Sequence, residues 1–79
     1  MDMIYEVTKG ARYKHYKGNY YTIVSMATHT ETMDGLVIYK DKNNNIWARP
    51  VEMFFGYTDD GVKRFVLIDE EEEANEDIN

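Results

Sequence analysis

Hydrophobic residues fall into short runs broken by Gly, Asn, Asp and Lys, and the runs favour strand over helix. Gly10 leads into residues 11–16, a loosely alternating stretch rich in aromatics. Lys17-Gly18-Asn19 then carries turn chemistry, because Gly and Asn reach positive φ at low cost. Residues 20–28 form a long run of Tyr, Thr, Ile and Val, the side chains that suit a pleated surface. The two runs and their turn predict a hairpin. Residues 29–35 are a polar loop, and Leu36-Val37-Ile38-Tyr39-Lys40 is a second strong strand. Asp41-Lys42-Asn43-Asn44-Asn45 is a turn built from residues that reach the left-handed region readily. Ile46-Trp47-Ala48-Arg49 is its return strand, ended by Pro50, which cannot donate to a ladder. Residues 51–55 predict one helical turn after Pro50, since proline is tolerated at a first helical position. Asp59-Asp60-Gly61 is a further turn and residues 64–68 a last strand. Five short strands at spacings of about ten residues predict a mostly β domain. The expected form is a five-stranded SH3-like barrel or a strongly bent antiparallel sheet.

Length limits this picture to one domain. A chain near 79 residues buries only roughly 60% of the surface its unfolded form exposes. There is no cysteine, so neither a disulfide nor a thiolate metal site is available. Stability must come from the 7 Tyr, 3 Phe and 1 Trp, from self-association, or from both. We expect a homo-oligomer. No apolar run approaches the ~20 residues that span a bilayer, and the N-terminus lacks an apolar leader. This predicts a cytoplasmic domain without membrane contact.

The net charge of −6 is unevenly distributed. Residues 69–79 hold seven acids and no base, leaving eight acids against nine bases in residues 1–68. The body is therefore about +1, and the acidic block is expected to be a disordered tail. A nearly neutral body argues against nucleic acid as partner, since its binders are strongly basic. Arg12, Lys14, His15 and Lys17 do interleave with Tyr13 and Tyr16, but strand alternation would divide them between two faces.

Three segments stand out as motifs: Tyr13-Lys14-His15-Tyr16-Lys17-Gly18, then Ala27-Thr28-His29-Thr30-Glu31-Thr32, and Trp47-Ala48-Arg49-Pro50-Val51-Glu52-Met53-Phe54. Together they resemble one bacterial and phage family, the domain of unknown function DUF1653. Tyr21 and Val37-Ile38-Tyr39 fill the intervening motifs in order, so the likeness covers nearly all of residues 10–68. Ala48 stands where the family usually has valine, and the loop before Trp47 is shorter than in typical members. The resemblance implies a compact, mostly β domain and no particular activity.

Candidate chemistry lies in the same segments. His29 and Glu31 at alternate positions of an extended segment would share a face. A carboxylate there would raise the imidazole pKa and fix its tautomer, as a general base needs. Alternatively, Thr30, Glu31 and Thr32 would cap the loop by bonding backbone amides. No nucleophile pattern accompanies the pair, so no catalytic residue is assigned. A metal site from His15, His29 and Glu31 is disfavoured for want of ligands. Trp47 and Arg49 would share a face, which suits stacking or a bidentate grip on phosphate. The structural alternative is an Arg49 ion pair with Glu31 or Glu52, with Trp47 in the core.

The reading is a non-catalytic β module whose pocket is lined by Tyr16, His29, Glu31, Tyr39, Trp47 and Arg49. Its expected ligand is small and anionic or aromatic, such as a nucleotide, with no cofactor. A phage protein that sequesters a host nucleotide signal would suit this size, by analogy alone. The alternative is a protein–protein adaptor or inhibitor that uses an exposed aromatic groove or a barrel edge.

Overall fold

A computed structural model describes residues 7–68. The acidic segment 69–79 and its expected disorder lie outside the described residues. The expected class is the one found, with five antiparallel strands in one sheet and a single short helix. The strands are β1 (Arg12–His15), β2 (Tyr20–Thr28), β3 (Gly35–Lys40), β4 (Ile46–Pro50) and β5 (Phe65–Leu67), with α1 (Val51–Phe54) between the last two. Their order in the sheet is β4-β3-β2-β1-β5. β1 to β4 form a meander, and β5 returns to pair with β1 in the register His15↔Phe65 and Tyr13↔Leu67.

The turns work as their residues demand. Gly18 takes φ 106° in the β1–β2 turn, and Asn44 takes φ 66° in the β3–β4 turn. Asp41 organises the latter, its carboxylate accepting from the Asn43 and Asn45 amides at 2.9 and 3.0 Å. Pro50 differs from expectation. It is the last residue of β4, paired with Leu36, and caps α1 from outside at φ −54° and ψ 140°. β4 lies at the sheet edge, where a missing N–H breaks no ladder, so proline can end the strand and start the turn together.

The sheet is strongly bent. In a flat sheet β4 and β5, four steps apart, would be separated by about 19 Å. Instead the Arg49 guanidinium of β4 lies 5.4 Å from the centroid of the Phe65 ring of β5. A register shift between Ile23 and Ser25 leaves Val24 as an extra residue in β2, and such bulges bend and twist a strand. The concave side holds the core of Tyr13, Ile23, Val37, Tyr39, Phe54 and Phe65.

Four of these six are aromatic; Tyr13 meets Phe54 edge-on at 5.1 Å, and Phe54 and Tyr39 both meet Phe65. Phe54 stacks on it at 4.1 Å and 7°, while Tyr39 and Tyr21 meet it edge-on at 5.6 and 5.7 Å. Phe54 and Phe65 are 0% and 1% exposed. Truncating a buried Phe to Ala typically costs about 3–5 kcal/mol, a large part of what a domain this small can have. Phe65→Ala is therefore expected to shift the urea midpoint by that equivalent or to leave the chain unfolded. A loss under about 1 kcal/mol would contradict the place given to Phe65.

A cationic aromatic mouth as candidate functional site

The bend gathers charge at one side of the aromatic core. His15, the last residue of β1, stands edge-on to Phe65 at 4.8 Å and to Tyr21 at 6.2 Å, with Tyr16 at 4.5 Å. Arg49 lies over the same Phe65 ring and close enough to Tyr39 to act on its hydroxyl. These partners of Arg49 are a ring and a hydroxyl, neither of them a carboxylate. Burial raises the Tyr39 hydroxyl pKa above its ordinary value, against the opposing charge and bond of Arg49.

Arg64 completes the group from the other side. Its amide donates to the Gly56 carbonyl at 3.1 Å, and its own carbonyl accepts from the Tyr16 amide at 2.9 Å. Gly56 is required there. A Cβ would lie 2.8 Å from the Glu52 carbonyl oxygen and 3.2 Å from Arg64 Nη1. Lys17 adds a fourth basic side chain, its ammonium 5.8 Å from the Tyr16 ring centroid. Burial pushes the His15 imidazole below its ordinary value, and Arg49, Lys17 and Arg64 push it the same way. The His15 Nδ1 accepts the Lys17 amide at 3.2 Å, so the neutral ring carries its proton on Nε2.

The six residues picked out from sequence are divided by this geometry. Tyr39 and Arg49 meet on the concave face, and Trp47 is the cross-strand partner of Tyr39. Tyr16 abuts His15 at the rim. Trp47 is 50% exposed, and its indole N–H donates to Asp41 Oδ2 at 3.1 Å. Burial would raise the Asp41 pKa, but the bonds from Trp47, Asn45 and Asn43 outweigh it and hold the carboxyl below its ordinary value. Trp47 thus braces the β3–β4 turn. That turn and the β1–β2 turn flank a cleft of ≈ 140 Å³ lined by Asn19, Tyr20, Tyr21, Asp41, Lys42 and Asn43.

His29 and Glu31 stand at the opposite end of β3, about 17 Å away along that strand. Their segment is a closed turn rather than an extended one. The His29 amide donates to the Asp34 carbonyl and the Met33 amide to the His29 carbonyl, both at 2.8 Å. His29 Nδ1 accepts the Glu31 and Thr32 amides at 3.2 and 3.3 Å, and Thr32 Oγ1 accepts the Asp34 amide at 3.2 Å. Of the Thr30, Glu31 and Thr32 side chains expected to cap this loop, Thr32 does so, while the other acceptor is the His29 imidazole, which that expectation did not include. Met33 takes φ 65° to close the turn.

His15, Lys17 and Arg64 join the site although sequence reading left them out. The signal was the β1–β5 pairing, which sets His15 beside Phe65, and nothing in the local pattern declares that pairing. Among the described residues no three His, Asp or Glu side chains converge as a metal-holding set, and no helix is long and apolar enough to cross a membrane.

Fold and site together define a small, bent, five-stranded β module with a cationic aromatic mouth. The chain matches the family model described as a protein of unknown function, DUF1653, over residues 11–67, and it belongs to that family. No curated protein matches it, and no solved structure does.

The mouth makes a prediction about acid. The folded chain resists a proton on His15 that the unfolded chain accepts. His15 therefore contributes stability that is whole above about pH 6.5 and lost as pH falls through the lower folded-state value. In urea unfolding at stepped pH, the stability of the wild type relative to His15→Gln is expected to decline below that point. A difference that stays flat between about pH 7 and pH 5 would contradict the assignment.

Proposed function

We propose that this domain is a non-catalytic binding module for a small anion that carries an aromatic part, with nucleotides the leading class. The observation that carries this reading is the imbalance of charge around Arg49. Among the described residues the half-buried Arg49 guanidinium has a ring and a hydroxyl beside it and no carboxylate, and Arg49, Lys17 and Arg64 act together on the His15 imidazole. Buried or partly buried charge is normally paired, so a site of this kind favours an anion from outside. Tyr16 at the rim, 47% exposed, offers a face on which a base can stack. A role in sequestering a nucleotide signal fits such a module, with self-association enlarging a pocket that one short chain encloses poorly.

The runner-up is a protein–protein adaptor. It draws on the edge strands, where Ile46 and Trp47 of β4 and Val66 and Leu67 of β5 are exposed. Exposed edges of this composition accept a further strand.

Thermal shift with nucleotides distinguishes the two. A ligand at 100 times its dissociation constant is expected to stabilise the fold by about 2.7 kcal/mol. Arg49→Gln should abolish that gain while costing the free protein about 1 kcal/mol of cation–π contact. His29→Ala should loosen the β2–β3 turn and leave the ligand effect intact. Stabilisation that survives Arg49→Gln, or vanishes with His29→Ala, would overturn the location of the site. Indifference to every nucleotide would favour the adaptor.

A further inference from the structure

We propose that the anion taken by this mouth is a terminal phosphate, and that His15 gains a proton from solvent as the phosphate binds. The inference rests on the anion-binding reading above and specifies the ligand's chemistry. Three permanent cations, Lys17, Arg49 and Arg64, act on one imidazole. Attraction to such a cluster grows with ligand charge, so a phosphomonoester dianion gains more than a phosphodiester monoanion. Arg49 has five N–H donors, and among the described residues the groups beside it are the Tyr39 hydroxyl and the Phe65 ring face. Its planar fork therefore keeps donors for two phosphate oxygens.

The proton has one place to go. With Nδ1 accepting the Lys17 amide, the neutral ring already holds hydrogen on Nε2. A second proton must take the Nδ1 lone pair, and it ends the Lys17 N–H···Nδ1 bond. In the free protein that step is opposed by burial and by the three cations. Among the described residues the other titratable groups against the ring are the Tyr16 and Tyr21 phenols, neither a carboxylate. A bound dianion offsets most of the repulsion from the three cations and adds an attraction of its own, so the imidazolium becomes favourable. The released Lys17 amide then points from the Gly18 turn, where His15 and Asn19 are already joined by a 2.7 Å backbone bond. One protonation event thus supplies the phosphate with an extra positive charge and a freed backbone donor.

The test uses the full chain with AMP and 3′,5′-cyclic AMP, which share the nucleoside and differ in phosphate class. Binding is followed by calorimetry, and the His15 ring nitrogens and Lys17 amide by heteronuclear NMR near neutral pH. We expect AMP to bind about tenfold or more tightly than the cyclic nucleotide, as about one unit of imidazole pKa would provide. With AMP bound, both His15 nitrogens should be protonated and the Lys17 amide signal displaced. His15→Gln should bind AMP more weakly, with its preference over the cyclic form reduced. Equal affinities, or a His15 that stays neutral in the AMP complex, would overturn this inference and leave the anion site standing. Failure of both nucleotides to bind at millimolar concentration would overturn both.

Discussion

The stack of Phe54 on Phe65 is the contact on which the rest of this structure depends. Its two rings come from α1, the only helix among the described residues, and from β5, the strand that returns across the sheet. Holding them at 4.1 Å draws the segment after β4 over the concave face. Pro50 makes this possible by ending β4 and opening α1 at one residue, so Phe54 arrives within a single turn. With no cysteine to staple the chain, the bend has to be held by packing alone.

The site follows from that bend. In a flat sheet Arg49 and Phe65 would lie on opposite edges. The curled sheet sets a guanidinium over an aromatic ring, with His15 and Tyr39 on the same hub. Burial makes the electrostatics there stronger than at an open surface, because fewer water dipoles screen the charges. The fold thereby accepts four basic side chains near one another, a cost that a bound anion would relieve. The outer face is different in kind. There the half-buried Arg12 and the exposed Lys14 lie over the exposed Tyr20 ring at 5.5 and 5.7 Å.

Most of the fold was legible in the sequence because it is encoded locally. Gly18 and the Asn43–Asn45 cluster announce their turns, and the β-branched and aromatic runs between them announce strands. What strand periodicity does not carry is which edge meets which. The β1–β5 pairing and the meeting of Arg49 with Phe65 are contacts across long sequence separations, and they alone bring His15, Lys17 and Arg64 into the site. Trp47 and Arg49 were correctly read as sharing a face, yet they serve differently. Trp47 bonds Asp41 at the turn, while the longer Arg49 reaches the core. His29 looked available because its neighbours were read as extended. The turn at residues 29–34 instead spends its Nδ1 on two backbone amides, a local outcome that Met33 at positive φ completes.

The most direct measurement is a map of backbone and arginine side-chain NMR shifts during titration with inorganic phosphate, the simplest probe of a cationic site. The account predicts saturable changes confined to His15, Lys17, the Arg49 guanidinium, Arg64 and their immediate neighbours, with residues 29–34 unmoved. Changes that never saturate, or that centre on the β2–β3 turn or the outer face around Tyr20, would contradict it.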